Sequence, residues 1–95
     1  MAAPTPLTAA ERKALSEKLP DWTVEDDRLC RTWEFADFAE AWRFMEQVSV
    51  IAEDLQHHPD WSNSWNQVDV AVTTHRAGGL TRLDVAFAET VDALG

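Results

Sequence analysis

Apolar positions along the chain change period several times, and each change marks an element. Thr8-Ala-Ala-Glu11 has capping-box spacing and opens a short helix carrying Leu15 and Leu19, which Pro20 should stop because proline disfavours a helical residue before it. Residues 22–24 and 29–35 alternate apolar and polar positions (Leu29, Trp33 and Phe35 against Thr32 and Glu34) around the polar turn Glu25-Asp26-Asp27, the pattern of a hairpin. Asp37 with Glu40 reads as a second capping box. Behind it Phe38, Trp42, Met45, Val48, Ala52 and Leu55 recur at the spacing of one helix face.

The second half repeats this plan. Val68, Val70 and Val72 alternate with Asp69, Ala71 and Thr73, a strand with one face to the core, and His75 continues the non-valine face. Gly78-Gly79 breaks the strand. Thr81-x-x-Asp84 then opens a last helix with Leu83, Phe87, Val91 and Leu94 on one side and a Leu80 to Val85 staple. The order α-β-β-α-β-β-α predicts an α+β fold, a four-stranded antiparallel sheet covered on one face by helices, with residues 1–95 as a single domain. Phe44, Val50 and Ile51 fall outside the predicted stripe of the long helix. They imply either contact with another subunit or scattered exposed apolar residues.

A formal net charge of −9, with eight Lys and Arg scattered along the chain, argues against direct nucleic-acid binding or an anionic membrane surface. Residues 1–7 lack the basic and apolar regions of a secretory signal, and no apolar run is long enough to span a bilayer, so a cytoplasmic location is expected. Cys30, the single cysteine, excludes an intramolecular disulfide and reads as a buried, inert thiol.

All three histidines fall between residues 57 and 75. Taken singly, a histidine near a helix C-terminus is more often solvated or paired with the helix dipole than catalytic. Here His57-His58 ends the long helix, Pro59 forces His58 out of helical geometry, and Asp60-Trp61 places a carboxylate and a large ring beside both imidazoles. Such a trio suits proton transfer, because imidazole both donates and accepts near neutral pH. A metal site is less favoured, since adjacent helical residues point about 100° apart and no His-Glu-x-x-His spacing aligns two ligands. Trp22, Trp33 and Trp42 fit the core pattern, whereas Trp61 and Trp65 suit either packing or ligand contact. By themselves Asp84 is explained as a capping residue and Glu53 as a solvated helix charge.

The combined spacing Glu53-x-x-x-His57-His58-Pro59, then Trp65, then Thr74-His75, then Leu80-Thr81 and Asp84 resembles the pterin-4a-carbinolamine dehydratase family over nearly the whole chain. The resemblance implies dehydration of 4a-hydroxytetrahydropterin to quinonoid dihydropterin, in support of tetrahydrobiopterin recycling. It implies His57, His58 and His75 as catalytic residues, and Glu53, Pro59, Trp61, Thr74, Arg76 and Asp84 around the pterin, with Glu53 and Asp84 either holding it or orienting an imidazole. No metal or cofactor is implied, and the assembly would be a homodimer or homotetramer built through sheet edges and the long helix. Trp65, Ser62 and Arg76-Ala77-Gly78 depart from animal members at the pocket rim. Some members also serve as dimerisation cofactors of a transcription factor, so a binding module is the rival class.

Overall fold

The computed structural model describes residues 5–94. Its elements are α1 (Ala9–Lys18), β1 (Thr23–Glu25), β2 (Arg28–Glu34), α2 (Phe38–Leu55), β3 (Asp60–Ser64), β4 (Gln67–Val72), a single 3-10 turn (His75–Ala77) and α3 (Arg82–Asp92). The strands form one antiparallel sheet in the order β1-β2-β4-β3. This is the predicted α+β plan.

Period-two alternation decides which sheet face is buried. Val68, Val70 and Val72 are at most 2% exposed, and the register partners Trp33 and Leu29 on β2 point the same way. Cys30, Thr32, Ser62, Asp69 and Ala71 occupy the other face, which no described helix covers. The Cys30 thiol is half-buried there. Burial, with Glu25 and Asp26 nearby, pushes its pKa up and keeps it protonated.

α1 begins with the complete capping box of Thr8 and Glu11, and Leu15 and Leu19 close one margin of the core. α2 begins with the Asp37 carboxylate accepting from Glu40 N–H at 2.9 Å. Only this half of the expected box is made among the described residues. The core-facing stripe also differs from expectation. Ala41, Phe44, Val48, Ile51 and Ala52 are buried, Met45 and Leu55 pack beside them, and Phe38 and Trp42 stack on each other in solvent. At about 100° per residue this is a rotation of roughly 50° from the predicted face. The small side chain of Ala41 lets the helix approach the sheet closely, and Phe44 gains Trp33 and Phe35 as ring neighbours at 4.7 and 5.1 Å. Phe44 and Ile51 are therefore core, and of the three supposed surplus residues Val50 alone is exposed. Trp22 is core as expected, with its indole N–H held by Asp92.

Phe44→Ala should destabilise the protein by about 3–5 kcal/mol, against less than about 1 kcal/mol for Trp42→Ala, read from urea midpoints of dilute protein. The opposite ranking would restore the stripe predicted from sequence.

Candidate active site

One end of the sheet gathers the chemistry. The β1–β2 turn, the exit of β4, the entry to β3 and the C-terminus of α2 all meet there. The end of α2 decides how the two adjacent histidines part. Gln56 adopts a left-handed conformation (φ 50°), His57 N–H reaches back to Ala52 O at 3.0 Å, and Gln56 N–H bonds Glu53 O at 3.2 Å. This is a Schellman ending with glutamine where glycine is usual. It turns His57 inward, where only 8% of its surface remains exposed, and leaves His58 in solvent.

His57 Nε2 lies 2.5 Å from Asp84 Oδ1. An ionised carboxylate only accepts, so the ring donates from Nε2, and in the neutral imidazole the lone pair is then on Nδ1. No buried side-chain nitrogen or oxygen among the described residues lacks a partner. Phe87 meets the imidazole edge-on at 6.4 Å and walls it from below.

Asp84 is fully buried at the third position of α3, where its Oδ2 accepts from Thr81 N–H at 2.8 Å and from the Thr74 hydroxyl at 2.9 Å. Thr74 and Thr81 hydroxyls are 2.8 Å apart, and Thr81 Oγ1 also accepts from Leu83 N–H. Since Thr74 gives its single proton to Asp84, Thr81 must donate to Thr74. A one-way chain of donors therefore runs from Leu83 through both threonines to the carboxylate.

His58 Nε2 is 2.6 Å from Glu53 Oε2, an exposed copy of the same imidazole–carboxylate pairing. His75 sits in the 3-10 turn rather than on the strand as expected, because β4 ends at Val72, and its Nε2 is 4.0 Å from Asp60 Oδ2. Every histidine thus has a carboxylate partner. Two of these partners, Glu53 and Asp84, stand out in the sequence, but the Asp60–His75 pair does not, since it depends on β3 and β4 lying in register at Asp60 and Ala71.

The family model described as pterin 4 alpha carbinolamine dehydratase matches residues 5–94. The chain belongs to that family. A Synechococcus protein provisionally named pterin-4-alpha-carbinolamine dehydratase is 52% identical over 88 residues, covering 93% of this chain and 95% of that one. A Rhizorhabdus wittichii protein of the same provisional name is 50% identical over 91 residues, covering 94% of each. A Brucella melitensis crystal structure described as a transcriptional coactivator/pterin dehydratase superposes with a TM-score of 0.89 at 37% identity, over 95% of this chain and 98% of that one. A pterin dehydratase-like protein identified as a RuBisCO assembly factor in the alpha-carboxysome shares the fold at 22% identity and a TM-score of 0.63, over 77% of this chain and 84% of that one.

Against the family's expected site, Pro59 and Trp61 are half-buried at the entry to β3, with Trp61 packed on the core, and Arg76 is exposed beside His75. Thr74 is 3% exposed, and its hydroxyl is committed to Asp84 and Thr81. Trp65 is 66% exposed in the β3–β4 turn, at the far end of β3 from the histidines. No three acidic, histidine or cysteine side chains among the described residues are grouped to hold a metal ion. No described helix is long and apolar enough to cross a membrane.

Asp27, in the β1–β2 turn, braces this end of the sheet: Arg12 holds its carboxyl below the usual carboxylate range, helped by the Leu80 N–H. Both side chains of the pair are more than a third exposed (39% and 37%), so the ion pair contributes less than about 1 kcal/mol. A lowered pKa adds stability that is complete above the unfolded value and disappears as pH falls through the folded one. Wild type should therefore exceed Arg12→Gln in urea midpoint near neutrality, with the gap closing below about pH 4. A gap unchanged down to about pH 3 would mean that the pair contributes by packing. Thr74→Val, nearly isosteric, should cost about 1–3 kcal/mol, because it strands the Thr81 proton and removes a partner from Asp84; a cost near zero would refute the donor chain.

Proposed function

We propose that this chain dehydrates 4a-hydroxytetrahydropterin to quinonoid dihydropterin, with His57, His58 and His75 as its acid–base groups, supporting tetrahydrobiopterin recycling. In that reaction the C4a–O bond breaks, a ring nitrogen loses its proton, a C=N bond forms and water leaves. One group must protonate the departing oxygen while another takes the nitrogen's proton. The observation that carries the reading is the buried Asp84–His57 pair, which orients one imidazole by its Nε2, standing beside a second, solvent-facing pair in Glu53–His58. His75 and Asp60 supply a third proton-carrying group from the adjacent strand ends.

In this reading Asp84 and Thr74, both buried, act through His57, whereas the exposed Glu53 and Arg76 and the half-buried Pro59 and Trp61 contact the pterin. The catalyst needs no cofactor, works in the cytoplasm, and assembles as a homodimer or homotetramer. A second reading, a module that docks another protein, is favoured by the Phe38–Trp42 stack exposed on α2 and by the coactivator description of the Brucella relative.

Chemically generated 4a-hydroxytetrahydropterin should lose water faster with this protein present, and His57→Ala or His75→Ala should each remove roughly 10²-fold or more of the acceleration. No acceleration by wild type would leave the docking reading. Activity abolished by a chelator and restored by zinc would replace acid–base catalysis with a metal mechanism.

A further inference from the structure

The two-residue turn between β1 and β2 is made of Asp26 and Asp27, both left-handed at φ 51° and 57°. Glycine and asparagine suit such positions better than aspartate does. Asp27 joins α1 to the loop that carries His75, its carboxylate reaching Arg12 and one stem of the loop and its backbone carbonyl reaching the other. Its Oδ2 accepts from Leu80 N–H at 3.3 Å, its Oδ1 takes Arg12 Nη1 at 2.5 Å, and its backbone carbonyl accepts the Thr73 hydroxyl at 3.0 Å. Thr73 and Leu80 are the two stems of that loop, and between them Thr74 pairs with Gly79 to pinch its neck.

Gly79 shows how closely the carboxylate is fitted. A Cβ there would overlap Asp27 Oδ2, while Gly79 itself is not left-handed, so a side chain at this position would have to push the carboxylate aside rather than strain the backbone. A cleft of about 250 Å³, lined by Asp26, Asp27, Arg28, Thr73 and His75, opens between turn and loop.

We propose that Asp27 is a positioning residue of the active site, clamping both stems of loop 73–80 so that His75 and Thr74 are presented in one arrangement. This rests on the dehydratase reading above. Arg12 keeps the clamp ionised, holding the Asp27 carboxyl below its ordinary range. Asp27 touches no reacting atom. Its effect is on how long His75 spends in the productive position, which bears on kcat more than on KM.

The test is a double-mutant cycle of Asp27→Gly and Gly79→Ala, with Asp27→Asn as the conservative variant. Glycine preserves the left-handed turn and the carbonyl that holds Thr73 while deleting the carboxylate's hold on Leu80 and Arg12, so the fold need not be lost with it. Each single variant should lower kcat roughly 10- to 100-fold with a smaller change in KM. The double variant should be no worse than Asp27→Gly alone, because the carboxylate that the added methyl group would strike is gone. Asp27→Asn, which keeps an acceptor oxygen and tolerates the turn, should recover most of kcat. The imidazole proton signals of His75, followed by NMR, should move in both single variants and return in Asp27→Asn. Wild-type kcat in Asp27→Gly, unmoved His75 signals, or losses that multiply in the double variant would each overturn the proposal. Because the His75 signals are read without turnover, an inactive wild type would sink the dehydratase reading and still leave the clamp itself to be decided.

Discussion

A carboxylate taken out of water costs several kcal/mol unless its oxygens are paired, and Asp84 is taken out completely. Its partners come from three separate parts of the chain: His57 just beyond α2, Thr74 at the exit of β4, and Thr81 at the cap of α3. The helix start and the site are therefore one construction. The capping box that begins α3 uses one oxygen of the same carboxylate whose other oxygen sets the His57 tautomer. Displacing any of the three segments would leave a buried charge underpaired, so the requirement that fixes the packing of α2 against α3 also fixes the imidazole.

Much of the fold is legible in the sequence because it depends on local rules. Thr8 with Glu11 and Thr81 with Asp84 announce helix starts, and the valines of β4 announce a strand with one buried face. The core face of α2 lies roughly 50° from the predicted one because that prediction weights large side chains over Ala41, whose smallness is what brings the helix onto the sheet. His75 is expected on a strand, since alternation alone cannot reveal that Thr74 turns back to pair with Gly79.

The site is half legible for a related reason. The doublet at 57–58 and the acidic residues Glu53 and Asp84 stand out, yet their division of labour needs coordinates. A left-handed Gln56 has no signature in sequence, because glycine is the residue that ordinarily marks such a position. Asp27 reads only as part of a polar turn. Its meaning comes from Gly79 and Leu80, distant in the chain, against which its carboxylate lies.

The Schellman ending of α2 makes the two neighbouring histidines unequal in kind. Their order in the chain is translated into depth: the first letter of the pair faces a carboxylate in the interior, the second a carboxylate in water. One residue removed ahead of Gln56 would carry His57 onto the break and His58 to the inward position without altering the doublet itself. The pair therefore behaves as an address, in which position relative to the helix break specifies environment, and two identical side chains acquire different chemistry from a single backbone angle.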